Sequence, residues 1–379
     1  MKNKLKTLLV RVCSYWNNKI YCFASDFNLL FSIDIKDGKL QLVDAIPEEN
    51  IPIQYLLGSM NINNSKLILG PRNAKKIWTY DLNTKTWDNL SINKLDDQQN
   101  GITQIYNYKN FVYLIGSSYP AILCIDLENN TCDYIEEPYK EAAARHEKVD
   151  FLYFRAHGVQ LDNILYLASC LDNFVLKFDM ETKKYQWIKV GDDGCAYSEI
   201  TWDGTSFWLS PRLNCDIVKW DGKEKTEILP LPPELKPTTN TYTWTACYDG
   251  RNIVFPCMSH PESIIIDTQK NMFEIQKQQY NLYTRLDNGM VISQTIDGEL
   301  SIKTDDTIQT YNPSVDIEQL KHFYDKKNLS VFNDGTLYYE TPAPSLSSLE
   351  SFLALTKSAS EHKPATEGQI GKAIWEAIR

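Results

Sequence analysis

Two arginines in this chain directly follow a proline, at Pro71-Arg72 and Pro211-Arg212. A third lies in Phe151-Leu152-Tyr153-Phe154-Arg155-Ala156-His157, where polar residues interrupt an apolar run. A guanidinium is a planar fork of donors that stays charged, so converging guanidiniums suit a carboxylate, sulfate or phosphate. Ligands of that kind include an acidic sugar, a nucleotide sugar or a chain-terminal carboxylate. His157 and Glu199 are the candidate acid/base groups beside such a ligand. Gln104 in a comparable strand, Tyr119 as a ring to stack on a sugar face, and His260 in Ser259-His260-Pro261 complete the candidate binding set. Each has a competing structural reading. Arginines at strand ends bond loop carbonyls or pair with carboxylates such as Asp216 or Glu199, a histidine beside Gly158 packs in a core, His260 is a solvated loop residue, and aromatic rings fill interiors.

No complete catalytic signature accompanies these residues. The sequence has no Asp-box series, no GxSxG elbow, no HExxH, no Walker loop and no GxGxxG. Gly191-Asp192-Asp193-Gly194 resembles a fragment of a calcium loop, but the remaining ligands are missing and the segment reads as a turn. Of the nine cysteines none forms CxxC and none stands at zinc-ligand spacing with a histidine. Most lie in apolar runs, as Cys22 does in Ile20-Tyr21-Cys22-Phe23, so they read as buried, reduced thiols. No metal and no cofactor is expected.

What would position the arginines is a repeat. Seven turn signals recur: Asn17-Asn18, Asn63-Asn64, Lys109-Asn110, Asp162-Asn163, Asp203-Gly204, Asp249-Gly250 and Asn288-Gly289, spaced by 46, 46, 53, 41, 46 and 39 residues. Asn and Gly tolerate the positive φ that tight hairpins need. A second landmark, an apolar strand ending in aspartate, falls at Asp34, Asp81, Asp126, Asp179, Asp221 and Asp267, with spacings of 47, 45, 53, 42 and 46. Both series keep one period, including the long step into the fourth unit. Each unit divides into four β runs; in the second these are 54–61, 66–70, 77–82 and 86–92. Four strands every 40 to 50 residues or so predict an all-β, seven-bladed propeller of antiparallel blades. A six-bladed ring with an aberrant end is the alternative. In a propeller the D–A and B–C connections share one rim. Counting nine residues back from each aspartate aligns Ser25, Arg72, Ser117, Cys170, Arg212 and Met258 there. Arg72 and Arg212 then belong to blades two and five, facing roughly across the ring, while Arg155 and His157 lie near the start of an inner strand.

Asp81-Leu82-Asn83-Thr84-Lys85-Thr86-Trp87 and Asp179-Met180-Glu181-Thr182-Lys183-Lys184-Tyr185 resemble the third and fourth strands of kelch-type blades, a likeness that covers most of 8–312. Kelch blades carry paired glycines after the second strand; this chain has Leu69-Gly70-Pro71, Ile115-Gly116-Ser117 and Leu209-Ser210-Pro211 there. The propeller is expected over 1–315, a connecting helix (315–324) and hairpin (329–339) within 316–345, and a tail over 346–379. In the tail, capping boxes open two short amphipathic helices. The second presents Ile370, Ile374, Trp375 and Ile378 to a partner or to the propeller itself.

The net charge of −10 and the lack of a basic run argue against nucleic-acid binding. No apolar run is long enough for a membrane span, and the Lys-rich start lacks a cleavage site, so a cytoplasmic protein is expected. The first functional expectation is a non-enzymatic interaction module that binds a protein or an anionic small molecule or glycan, in a bacterial polysaccharide or assembly pathway. The alternative is a lyase or hydrolase acting on an acidic saccharide held by the arginines.

Overall fold

The computed structural model describes residues 5–326, apart from 25–28, 48–55, 75, 91–100, 130, 147–151, 156, 214, 225, 237–244, 257–260, 271 and 305–306. Within it lie seven four-stranded antiparallel sheets, each built from four consecutive strands. They form blades 1 (10–45), 2 (57–90), 3 (102–135), 4 (159–189), 5 (196–229), 6 (247–276) and 7 (280–311) of a β-propeller. Blade 7 has all four strands of its own, which removes the six-bladed alternative.

Position within the blade sets the composition of each strand. The second and third strands are covered on both faces by neighbouring blades and read as continuous apolar runs; Lys66–Pro71 and Ile77–Asp81 are buried along nearly their whole length. The outermost strand has one wet face and alternates, as in Thr86–Leu90. Apolar clusters fill the wedges between adjacent blades, with Trp208 and Trp220 among the largest fully buried side chains. Burial of one such side chain contributes about 1.5–3 kcal/mol.

Both sequence landmarks have a conformational cause. Asn17, Asn18, Asn64, Lys109, Asp162, Gly204, Gly250 and Gly289 all have positive φ, the conformation the first-to-second strand hairpins require. The aspartates end the third strands, and each folds the following turn onto its own carboxylate. Asp81 Oδ1 accepts the N–H of Asn83 and Thr84, and Asp179 Oδ1 accepts those of Glu181 and Thr182. The same turn recurs at Asp34, Asp126, Asp221 and Asp267. These bonds, led by the Thr84 and Thr182 N–H groups, hold Asp81 and Asp179 below the usual carboxylate range. The long step into the fourth unit contains helix α1 (Glu137–Ala144) in the connection from blade 3 to blade 4.

The innermost strands are Val10–Trp16, Leu57–Asn63, Ile102–Tyr108, Val159–Leu161, Ala196–Trp202, Cys247–Tyr248 and Tyr280–Arg285. Five of them break register near their rim end, at Arg11, Gly58, Thr103, Ser198 and Asn281. A bulge turns an extra side chain out of the pleat. At or just after it, a polar side chain reaches the main chain of the next blade. Ser59 Oγ donates to Ile102 O (3.2 Å), Gln104 Nε2 to Arg155 O (2.6 Å) and Asn281 Nδ2 to Val10 O (2.7 Å), while Glu199 Oε2 accepts from Ala246 N (3.0 Å). Gly58 has no side chain because a Cβ there would stand 2.3 Å from Ile102 O.

Closure of the ring uses a device outside the blades. Leu5–Thr7 pairs antiparallel with Ser314–Asp316, and Leu8 N–H donates to Pro313 O. Fully buried Gln294 accepts from Val10 N (2.7 Å) and donates to Leu8 O (2.8 Å) and Gly298 O (3.0 Å). Because Val315 belongs to this strand pair, helix α2 (Ile317–Lys326) begins two residues later than the sequence predicts. The chain divides into compact units Met1–Ile317 and Glu318–Arg379. The expected hairpin at 329–339 and the tail residues Ile370, Ile374, Trp375 and Ile378 lie outside the described residues. Among the described residues no helix is long and apolar enough to cross a membrane.

Candidate functional site

The innermost strands surround a cavity of about 1310 Å³. Arg72, Arg155, His157, Gln104 and Glu199 all line it, so five of the sequence candidates share one space. Their positions on the blades put the two arginines at the rim that carries the D–A and B–C connections. Asp162 and Asp287, on the hairpins at the opposite rim, line its other end together with Arg285.

Arg155 enters from the connection that precedes the inner strand of blade 4. Its carbonyl accepts hydrogen bonds from Thr103 Oγ1 and Gln104 Nε2, both 2.6 Å long. Gln104 is held in turn by the Tyr106 hydroxyl, which donates to Gln104 Oε1 (2.7 Å) and accepts from Gly158 N (2.8 Å). Gln104 therefore clamps the Arg155 backbone, a role that accounts for both ends of its amide. Burial depresses the Arg155 pKa, opposed by Cys170 and Glu199 and reinforced by the positive charges of Arg212 and Arg72. That mutual effect places all three arginines in one electrostatic cluster.

Arg72 is exposed at the mouth, where its N–H and that of Asn73 fold the connection back onto Leu56 O (2.8 and 3.1 Å). Arg212 differs. It is 9% exposed, does not line the cavity and, among the described residues, has no hydrogen-bond partner for its buried Nη1. Its guanidinium lies against the Cys170 thiol, which burial shifts up and Arg212 and Arg155 pull back down. Asp216, the carboxylate nearest in sequence, is instead occupied by Lys236 Nζ (2.8 Å) and Leu231 N (2.9 Å). Cys170 and Ser117 stand at the same aligned position as the two arginines, while Ser25 and Met258 lie outside the described residues.

His157 faces the cavity with its pKa lowered to about 4, first by burial and then by the charge of Arg11, so the ring is neutral at neutral pH. Glu199 has one oxygen committed to Ala246 N. Tyr119 is 5% exposed inside the apolar cluster between blades 2 and 3, so its ring packs in the core and is not offered to a ligand. His260 lies outside the described residues. Arg11 was not singled out by the sequence analysis, because the Asp landmark aligns second-strand ends and carries no information about an inner-strand bulge. Among the described residues no cluster of His, Cys, Asp and Glu is suited to a metal ion.

No family model matches the chain, and no curated protein matches it. Solved structures do. Virginiamycin B lyase from Staphylococcus aureus superposes with a TM-score of 0.57 at 12% identity, over 78% of this chain and 96% of that one. The RRP9 WD40 repeats give 0.55 at 8% identity, over 77% and 90%. BamB from Moraxella catarrhalis gives 0.50 at 14% identity, over 77% and 80%. This chain is a seven-bladed β-propeller. At these identities the likeness establishes the fold, which is shared by an enzyme and by proteins of other kinds.

Proposed function

We propose that this propeller is a binding module for an anionic small molecule or glycan, taken at the arginine mouth of its central cavity. The observation that carries the reading is the cluster of Arg72, Arg155 and Arg212. Arg72 and Arg155 line the cavity and Arg212 adds its charge from behind, and among the described residues neither Arg155 nor Arg212 is ion-paired to a carboxylate. A thermal-shift panel of acidic sugars, sugar phosphates and short acidic peptides tests it, run on wild type and on Arg72→Ala and Arg155→Ala. A ligand at about 100 times its Kd adds roughly 2.7 kcal/mol, a visible shift for a domain of this size. The expected outcome is stabilisation by at least one anion that is lost in both variants. A well-folded wild type that no anion stabilises would turn attention to protein partners.

A second reading, a lyase or hydrolase acting on an acidic saccharide, draws on neutral His157 in the same cavity, since an uncharged imidazole is the form that accepts a proton. It requires turnover of an acidic oligosaccharide that His157→Gln abolishes while binding persists.

A further inference from the structure

The surroundings of Cys170 narrow the choice of anion. Cys170 lies two residues beyond the second strand of blade 4 (Ile164–Ala168), behind the basic mouth; it is 4% exposed and donates its N–H to Tyr153 O (2.8 Å). Two guanidiniums act on its thiol, Arg155 from the connection that precedes its blade and Arg212 from blade 5, with Arg212 in hydrogen-bonding reach. Arg212 is nine-tenths buried and its Nη1 has no acceptor. Glu199 acts on both Arg155 and Cys170 through space, and accepting the Ala246 N–H at Oε2 leaves its charge in place, so its carboxylate offsets one guanidinium. Three guanidiniums, counting Arg72 at the mouth, thus stand against one carboxylate around a neutral thiol, a surplus of two positive charges. A carboxylate or a sulfate ester carries one charge and would balance only one of the pair. A phosphate monoester carries nearly two at neutral pH and presents three terminal oxygens to donors on different sides.

We propose that the basic mouth takes a phosphate monoester, seated between Arg155 and Arg72, with Arg212 contributing its charge from behind beside the buried Cys170 and the rest of the ligand in the cavity. The proposal rests on the anion-binding reading and specifies its ligand. Three probes that share one sugar body test it by calorimetric titration of the full chain: glucose 6-phosphate, glucose 6-sulfate and glucuronate. At pH 7.5 the phosphate is expected to bind at least about tenfold more tightly than either monoanion. Its affinity should fall as the pH is lowered to 5, because the ester loses its second charge near pH 6. The sulfate should show no such fall, and His157 stays neutral across this window. Arg212→Gln should reduce the phosphate preference; should that variant misfold, the wild-type pH comparison stands alone. Equal affinity for the three probes, or preference for a monoanion, overturns the phosphate assignment and leaves anion binding intact. Binding of none of them overturns the anion reading itself.

Discussion

His157 illustrates how a channel wall sets the chemistry of one residue. Its ring meets the cavity, yet protein surrounds it and the Arg11 charge faces it, so the neutral form is favoured down to about pH 4. In the unfolded chain the same ring takes a proton near pH 6.5. Between those values the unfolded state binds the extra proton, so folding stability falls as pH falls from about 6.5 to 4 and gains nothing from His157 below that. The difference in melting temperature between wild type and His157→Gln should therefore change across this interval and be flat above pH 7. A constant difference from pH 7 to 4 would place the ring in ordinary solvent. The shared position of Arg72 and Arg212 was legible at this scale because the repeat superimposes them without any knowledge of side-chain contacts, and Arg155 because it interrupts an apolar run. The clamp role of Gln104 and the interior position of Tyr119 were not, since both depend on which neighbouring blade stands within hydrogen-bonding or packing distance.

Among the elements, the two series of turns were readable because each is enforced by a local requirement: positive φ at the hairpins and an Asp carboxylate that caps the following turn. The bulges of the inner strands leave no such mark, as Arg11, Gly58, Thr103, Ser198 and Asn281 have no side-chain type in common. Helix α1 did leave one, with Pro138 in its first turn and the run Ala142-Ala143-Ala144, both ordinary signs of a helix inside a long step. The latch at Gln294 is the element-scale feature with the largest energetic consequence. Gln294→Leu removes the partners of Val10 N, Leu8 O and Gly298 O in a fully buried position. Each stranded group costs about 1–3 kcal/mol, so urea unfolding should show a loss of at least about 3 kcal/mol. A change under about 0.5 kcal/mol, the range of an ordinary surface substitution, would mean that water replaces the amide without penalty.

For the whole molecule, seven near-identical wedges bring positions far apart in sequence to one mouth, and that geometry makes an anion site possible in a chain of net charge −10. The architecture followed from periodicity alone. Ring closure did not, because Leu5–Thr7 and Ser314–Asp316 are too short to carry a pattern and meet only once the ring is complete. The most direct test of the account is calorimetric titration of wild type and Arg155→Gln with glucose 6-phosphate and with glucuronate at low ionic strength, where charge pairing is least screened. At least one of the two should bind wild type with a single site, and the variant should bind it at least about tenfold more weakly while melting within a few degrees of wild type. Equal affinity in the two proteins, or no binding to wild type, would contradict an anion site at the arginine mouth.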